Sequence, residues 1–104
     1  VVDCGVVVHA DAASAQIEGG ILFGLSAALY EQIELIDGAV QNRNFAGYRL
    51  ARMSDAPEVH VRFLPSQRYP GGLGEASTPA IAPAIANALY RLTGKRHRSL
   101  PLKA

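Results

Sequence analysis

The chain lacks the residues that would mark a disulfide framework, a metal held by side chains or a nucleic-acid surface. It has a single cysteine, Cys4, so an intramolecular disulfide cannot form, and Cys4 and the three histidines show no metal-ligand spacing. Tryptophan is absent, and the net charge of +1 provides no general attraction to nucleic acid. We therefore expect no disulfide, no metal ligands among the side chains and no nucleic-acid partner.

Long hydrophobic runs are also missing. The most apolar internal run, residues 19–29, is bounded by Glu18 and Glu31 and is too short to cross a bilayer. The first residues are apolar but lack the basic leader and the cleavage pattern of a signal peptide. We therefore expect no membrane span in this chain, and its residues leave the cellular compartment open.

Composition and periodicity predict one folded domain over residues 1–104. Apolar residues make up 49% and charged residues 18% of the chain, as in ordinary globular proteins. The hydrophobic pattern predicts an α+β fold, with two main helices packed on one face of a small mixed or antiparallel sheet. The expected elements are a strand over 1–8, a helix from a cap at Asp11 or Ser14 to Gln32, a hairpin over 33–41 with its turn at Asp37-Gly38, a strand over 58–64, and a helix over 80–93 that Thr78 caps and Gly94 ends.

The first predicted helix contains Gly19, Gly20 and Gly24 in its interior. Each glycine costs about 1 kcal/mol relative to alanine in such a position. Close packing of another segment against this face would compensate for the cost, so we expect these glycines to form a flat contact surface.

A glycine-rich loop, residues 71–74, ends in Glu75 just before the second predicted helix. Glycines let a backbone approach a ligand closely, and helix N-termini favour negative charge. We therefore expect the Glu75 carboxylate to stay ionised and accessible as a general base. A flexible turn before a helix explains the same residues without any function.

Several motifs occur together in a characteristic order. They are Gln16–Leu25, then Asn44-Phe45 with Tyr48, and finally Gly71–Thr78 followed by Pro83–Ala88. This set resembles the C-terminal portion of the molybdopterin-binding large subunit of the molybdenum hydroxylases, the xanthine dehydrogenase and aldehyde oxidase family, in particular the isoquinoline 1-oxidoreductase beta-subunit type. The resemblance runs over essentially the whole chain. It departs at Ala10 and Ala76, where family members often have proline.

The resemblance implies part of an oxidoreductase that hydroxylates an aldehyde or an N-heterocycle with a molybdenum-pterin cofactor, in its cytosine dinucleotide form. Glu75 matches the catalytic glutamate of that family. The matching cofactor contacts are Gln16, Gly71, Gly72, Leu73 and Gly74. The implied partners are the remainder of the large subunit and a two-iron two-sulfur subunit, so we expect the isolated chain to carry no cofactor and to be inactive.

A second interpretation stays open: a detached, non-catalytic folded module that forms a homo-oligomer or binds a partner protein. The basic residues near its end do not add a nucleic-acid site, because no aromatic side chains are interleaved with them and they complement the helix dipole. These residues are Arg91, Lys95, Arg96, Arg98 and Lys103.

Overall fold

A computed structural model describes residues 1–102 as two helices, one short hairpin and long irregular connections. The elements are α1 (Ala10–Leu29), β1 (Leu35–Ile36), β2 (Ala39–Val40), a 3-10 turn (Met53–Asp55), a second 3-10 turn (Thr78–Ala80) and α2 (Ile81–Thr93). The expected α+β class is confirmed. Lys103, named above among the basic residues, lies outside the described residues.

The first helix begins after His9, whose Nδ1 accepts a hydrogen bond from the Ala12 N–H at 3.1 Å. The caps expected at Asp11 or Ser14 are therefore wrong, because the histidine ring satisfies the free N–H in their place. The helix ends at Leu29 rather than near Gln32. There Tyr30 leaves helical geometry, with φ −129° and ψ −35°.

The second helix is entered through the 3-10 turn, so its regular part begins at Ile81. Thr78 does not cap it, contrary to the prediction, because the Thr78 hydroxyl donates to the carbonyl oxygen of Gly20 at 3.1 Å. Gly94, with φ 70°, ends the helix as predicted, and its N–H donates to the Tyr90 carbonyl at 2.8 Å.

The glycines of α1 bring the two helices together. A Cβ atom placed on Gly24 would lie 2.5 Å from the Thr78 carbonyl oxygen, and one on Gly20 would collide with the Ser77 hydroxyl. The packing role predicted for these two glycines is confirmed. Gly19 is different, since a Cβ there would meet no atom within 4 Å.

The predicted hairpin is confirmed. Leu35 of β1 lies opposite Val40 of β2, and the turn between them has positive φ at Asp37 (50°) and Gly38 (77°), as primed turns require. Within residues 1–102 the helices contact each other and the second 3-10 turn, and the hairpin contacts neither helix. The expected layering therefore needs correction, because both strands are exposed and too short to offer a buried face.

The strands expected over 1–8 and 58–64 are not present. The two segments pair only at one parallel bridge, between Val2 and Phe63. The Val2 N–H donates to the Arg62 carbonyl at 2.8 Å, and the Leu64 N–H donates to the Val2 carbonyl at 2.8 Å. Beyond the bridge the chain turns at Gly5, where φ is 76°. A side chain at Gly5 would collide with the Tyr69 carbonyl oxygen, so this close approach of the two backbones requires glycine.

The segment after the bridge anchors the start of the glycine-rich loop. The Val6 N–H donates to the Arg68 carbonyl at 3.0 Å, and the Gly71 N–H donates to the carbonyl of buried Cys4 at 2.7 Å. The Arg68 guanidinium also pairs with the Asp3 carboxylate. These contacts hold residues 68–71 against the start of the chain.

The hydrophobic core is small and lies mainly on α1. The Leu102 N–H donates to the Ala28 carbonyl at 2.7 Å, so the end of the described chain covers the end of this helix. The radius of gyration is 16.6 Å, against about 13 Å for a compact chain of this length. The buried hydrophobic residues are Cys4, Ala13, Ile17, Leu25, Ala28 and Leu102.

By length and composition alone, α1 is also able to cross a membrane. The apolar run 19–29 alone is too short to span a bilayer, whereas the helix also includes the small apolar residues before that run. Core helices of soluble proteins meet the same criterion. Here α1 carries most of the buried residues and accepts hydrogen bonds from Ser77 and Thr78 at its Ile17 and Gly20 carbonyls.

Candidate functional site

An open cleft of about 630 Å³ lies between α1 and the segment that leads into α2. This volume is in the range of small-molecule and cofactor sites, roughly 300–1,000 Å³. One wall comes from α1 and the other from the end of the glycine-rich loop and the 3-10 turn. The lining residues are Gln16, Gly19, Gly20, Phe23, Gly74, Glu75, Thr78 and Pro79.

The α1 wall follows helical spacing. Gln16, Gly19 and Phe23 are separated by three and four residues, which places them on one face of the helix. From Gln16 to Phe23 the helix rises about 10 Å. The wall therefore has a carboxamide at one end, bare backbone in the middle and an aromatic ring, 71% exposed, at the other end.

The opposite wall is fixed by a turn at Glu75. Its carbonyl oxygen accepts a hydrogen bond from the Thr78 N–H at 3.2 Å. The hydroxyl groups of Ser77 and Thr78 then donate to α1, at 2.9 Å to the Ile17 carbonyl and at 3.1 Å to the Gly20 carbonyl. These two hydrogen bonds clamp the turn onto the helix, so the exposed Glu75 carboxylate belongs to the same cleft as Gln16.

The structure brings together some of the predicted site residues and separates others. Gln16, Gly74 and Glu75 line one cleft. The remaining loop positions 71–73 are not among its lining residues, and Gly71 is instead hydrogen-bonded to Cys4. Between residues 1 and 102, no ion pair or side-chain hydrogen bond engages the Glu75 carboxylate.

Sequence reasoning missed the contribution of Gly19 and Phe23 to this cleft. The signal was present, because Phe23 follows Gln16 by two helical turns. In the sequence Gly19 is indistinguishable from the packing glycines Gly20 and Gly24, and only the structure shows that the space beside it is open.

The middle motif of the resemblance lies elsewhere. Asn44, Phe45 and Tyr48 contribute to a separate cavity of about 300 Å³. There the Tyr48 phenol donates to the Glu31 carboxylate at 2.8 Å, and this hydrogen bond raises the pKa of Tyr48 above its ordinary value of 10.0. The segment is joined to α1 by the Ala51 N–H, which donates to the Ser26 hydroxyl oxygen at 2.9 Å.

Residues 1–57 match the family model of the molybdopterin cofactor-binding domain. Together with the fold and the cleft beside α1, this match defines the class of protein. The chain belongs to the molybdopterin cofactor-binding domain family, and its resemblance to the molybdenum hydroxylase large subunit is confirmed. The match includes Gln16 and ends before the glycine-rich loop and Glu75.

Curated relatives align with almost the whole chain. It is 43% identical over 102 residues to isoquinoline 1-oxidoreductase subunit beta of Brevundimonas diminuta, and 44% identical over 102 residues to the membrane-bound aldehyde dehydrogenase (pyrroloquinoline-quinone) of Gluconacetobacter polyoxogenes. Each alignment covers 98% of this chain and 13% of the relative. The chain therefore spans about an eighth of the length of these relatives.

The fold is also found in a solved structure, quinoline 2-oxidoreductase from Pseudomonas putida 86. The TM-score is 0.85 at 21% sequence identity, and the match covers 95% of this chain and 14% of that one. At this identity the similarity establishes the fold and leaves the roles of individual residues to other arguments.

Proposed function

We propose that this chain is the part of a molybdenum hydroxylase that supplies the catalytic base and one wall of the cofactor cradle. The enzyme acts on an aldehyde or an N-heterocycle, the substrate classes named in its relatives. The observation that carries the proposal is the shared cleft, which is lined by both Glu75 and Gln16.

The residues in the cleft fit a pterin-type cofactor. A glutamine carboxamide both donates and accepts hydrogen bonds, as the edge of a pterin requires. No atom would meet a Cβ on Gly74 within 4 Å, so a ligand in the cleft has free access to this backbone, and the same is true of Gly72 in the loop outside the cleft. Among residues 1–102 no group of three His, Cys, Asp or Glu side chains is placed to hold a metal, and the cofactor itself would carry the molybdenum.

The proposed contacts are Gln16 and Gly74 in the cleft and Gly71, Gly72 and Leu73 in the loop that leads to it, with the cofactor in its cytosine dinucleotide form. When bound, the cofactor supplies the two-electron oxidation of the substrate carbon. Glu75 then acts as the general base of the hydroxylation and takes up the proton that the attacking oxygen releases. Its lack of an ion-pair partner within residues 1–102 supports this role, because the carboxylate is free to accept a proton.

Activity requires more polypeptide than this chain. We propose the remainder of the large subunit and a two-iron two-sulfur subunit as partners, so that the isolated chain is inactive. The small core supports this view, since no large side chain is fully buried among the described residues and the chain is less compact than a domain of its length. The same features weigh against the alternative of a detached, self-associating module.

The decisive experiment is Glu75→Gln in the complete, cofactor-loaded subunit. A positioned general base contributes about 10²–10⁴ to the rate, so we expect kcat to fall by that factor while molybdenum and pterin contents stay unchanged. Glu58→Gln is the matched control, because Glu58 is exposed and does not line the cleft. If Glu75→Gln kept kcat within about tenfold of the wild type, the base role would be wrong.

Cofactor content gives a second test. Molybdenum and pterin should be present in equal amounts in the purified complete subunit, and pterin hydrolysis should release the cytosine nucleotide. One relative is named for pyrroloquinoline quinone, so that compound is measured in the same sample. Pyrroloquinoline quinone without molybdenum would contradict the proposal, as would a folded, metal-free homodimer of residues 1–104 purified from the native source.

A further inference from the structure

Phe23 has an unusual position for an exposed aromatic side chain. It is 71% exposed and is the one aromatic residue among the described residues that line the cleft. An isolated apolar side chain at a surface needs no explanation. Phe23 is different because it shares the concave wall with Gln16 and faces the space that Glu75 also lines.

Gly19 is the second unexplained residue of this wall. It weakens the helix as any interior glycine does, yet it has no packing role, because a Cβ at this position would meet no atom within 4 Å. Gly20 and Gly24 are accounted for by their contacts with Ser77 and Thr78. The bare backbone at Gly19 therefore leaves a flat surface inside the cleft, beside the phenyl ring of Phe23.

We propose that Gly19 and Phe23 position an aromatic ring of the substrate. The planar ring lies over the Gly19 backbone and packs against the Phe23 phenyl, across the cleft from the Glu75 carboxylate. The inference rests on the proposed function, because the ring belongs to the heteroaromatic substrate on which Glu75 acts. Along α1, Gln16 lies two turns, about 10 Å, from Phe23 and one turn, about 5 Å, from Gly19, so the substrate ring would lie next to the cofactor contact at Gln16.

The principal test is Phe23→Ala in the complete, cofactor-loaded subunit, with isoquinoline, nicotinate and acetaldehyde as probes. Loss of an aromatic contact should raise the Kd and KM for isoquinoline about tenfold and leave kcat within about twofold. The effect should be smaller for the single ring of nicotinate and absent for acetaldehyde, which has no ring. Phe23→Tyr should restore the wild-type Kd. Titration calorimetry with isoquinoline on the chemically reduced subunit, which cannot oxidise the substrate, measures Kd without turnover.

Two matched controls separate the cleft from general surface effects. Phe45→Ala removes another exposed phenyl ring, which lines a different cavity, and should leave every Kd unchanged. Gly19→Ala places a methyl group in the cleft and should weaken isoquinoline binding with unchanged molybdenum content. Gly47→Ala adds the same methyl group where only the Asn44 carbonyl oxygen lies nearby, at 3.8 Å, and should have no effect.

The outcomes distinguish this inference from the proposed function. Unchanged isoquinoline Kd in Phe23→Ala, or no ring probe binding to the wild-type subunit, would overturn the ring contact. A loss of molybdenum in Phe23→Ala would also overturn it, since the side chain would then serve the cofactor or the fold. If Glu75→Gln kept normal turnover while Phe23→Ala weakened isoquinoline binding, the base role would fail and the ring contact would stand.

Discussion

The contact between α1 and the segment before α2 leads to a quantitative prediction about Gly24. Its replacement by alanine would bring a methyl carbon to 2.5 Å from the Thr78 carbonyl oxygen and to 3.0 Å from the Ile81 side chain. The Thr78 backbone on one side and the half-buried Ile81 side chain on the other cannot easily move away from the new methyl group. Overpacking of this kind costs about 1–3 kcal/mol.

Gly24→Ala also brings a gain, because alanine is about 1 kcal/mol better than glycine in a helix interior. The net destabilisation is therefore roughly 0–2 kcal/mol. Gly19→Ala is the matched control on the same helix, since its methyl group meets no atom within 4 Å. There only the helix propensity changes, and we expect α1 to be stabilised by about 1 kcal/mol.

Hydrogen exchange of the complete subunit, read by mass spectrometry in peptides from α1, measures both variants. A difference of about 1–3 kcal/mol between them corresponds to about a fivefold or larger separation in exchange rate, with Gly24→Ala the faster. Slower exchange of equal size in both variants would show that the segment 77–81 does not press on Gly24, and the clamp that positions Glu75 would lose its basis.

Two further predictions concern the periphery of the site. The raised pKa of Tyr48 means that the folded state favours the protonated phenol, so the stabilisation from its bond to Glu31 is complete below pH 10 and is lost as pH rises through the raised value. Above pH 10 the free energy of unfolding should therefore fall more steeply with pH for the wild type than for Tyr48→Phe. An equal pH dependence in the two proteins would show that ionisation of Tyr48 is not coupled to stability. The His9 ring accepts from the Ala12 N–H. His9→Ala should therefore destabilise the first turn of α1 by about 1 kcal/mol and His9→Asn by little, because an asparagine side chain at an N-cap can accept the same hydrogen bond. Equal hydrogen exchange in the two His9 variants would contradict this cap.

Some elements were predictable because their energetics are local. The hairpin turn at Asp37-Gly38 depends on two adjacent residues that tolerate positive φ, and the end of α2 depends on Gly94. The predicted N-cap of α1 was wrong for a local reason too. His9, rather than Asp11 or Ser14, accepts from the free N–H of the first turn, and residue preferences at N-cap positions do not favour histidine.

The prediction of strands over residues 1–8 and 58–64 was wrong, because a strand forms only where a neighbouring strand pairs with it. Residues 1–8 and 58–64 both have strand-like composition, but they meet only at Val2 and Phe63. The sharp turn at Gly5 then directs the chain toward the stretch before the glycine-rich loop. Alternating polarity indicates which residues suit a sheet, and it does not reveal where pairing stops.

The residue types of the candidate site were apparent from the sequence, with a carboxylate after glycines and an amide in the first helix, and the ordered set of motifs placed the chain in its family. The geometry was not predictable, because Gln16 and Glu75 line one cleft through contacts between residues far apart in sequence. These contacts are the hydrogen bonds from Ser77 to Ile17 and from Thr78 to Gly20, and the close packing at Gly24. Such contacts depend on how two helices dock, which no short window of sequence encodes. The same docking separates Gly20 and Gly24, which are covered, from Gly19, which is left open to a ligand.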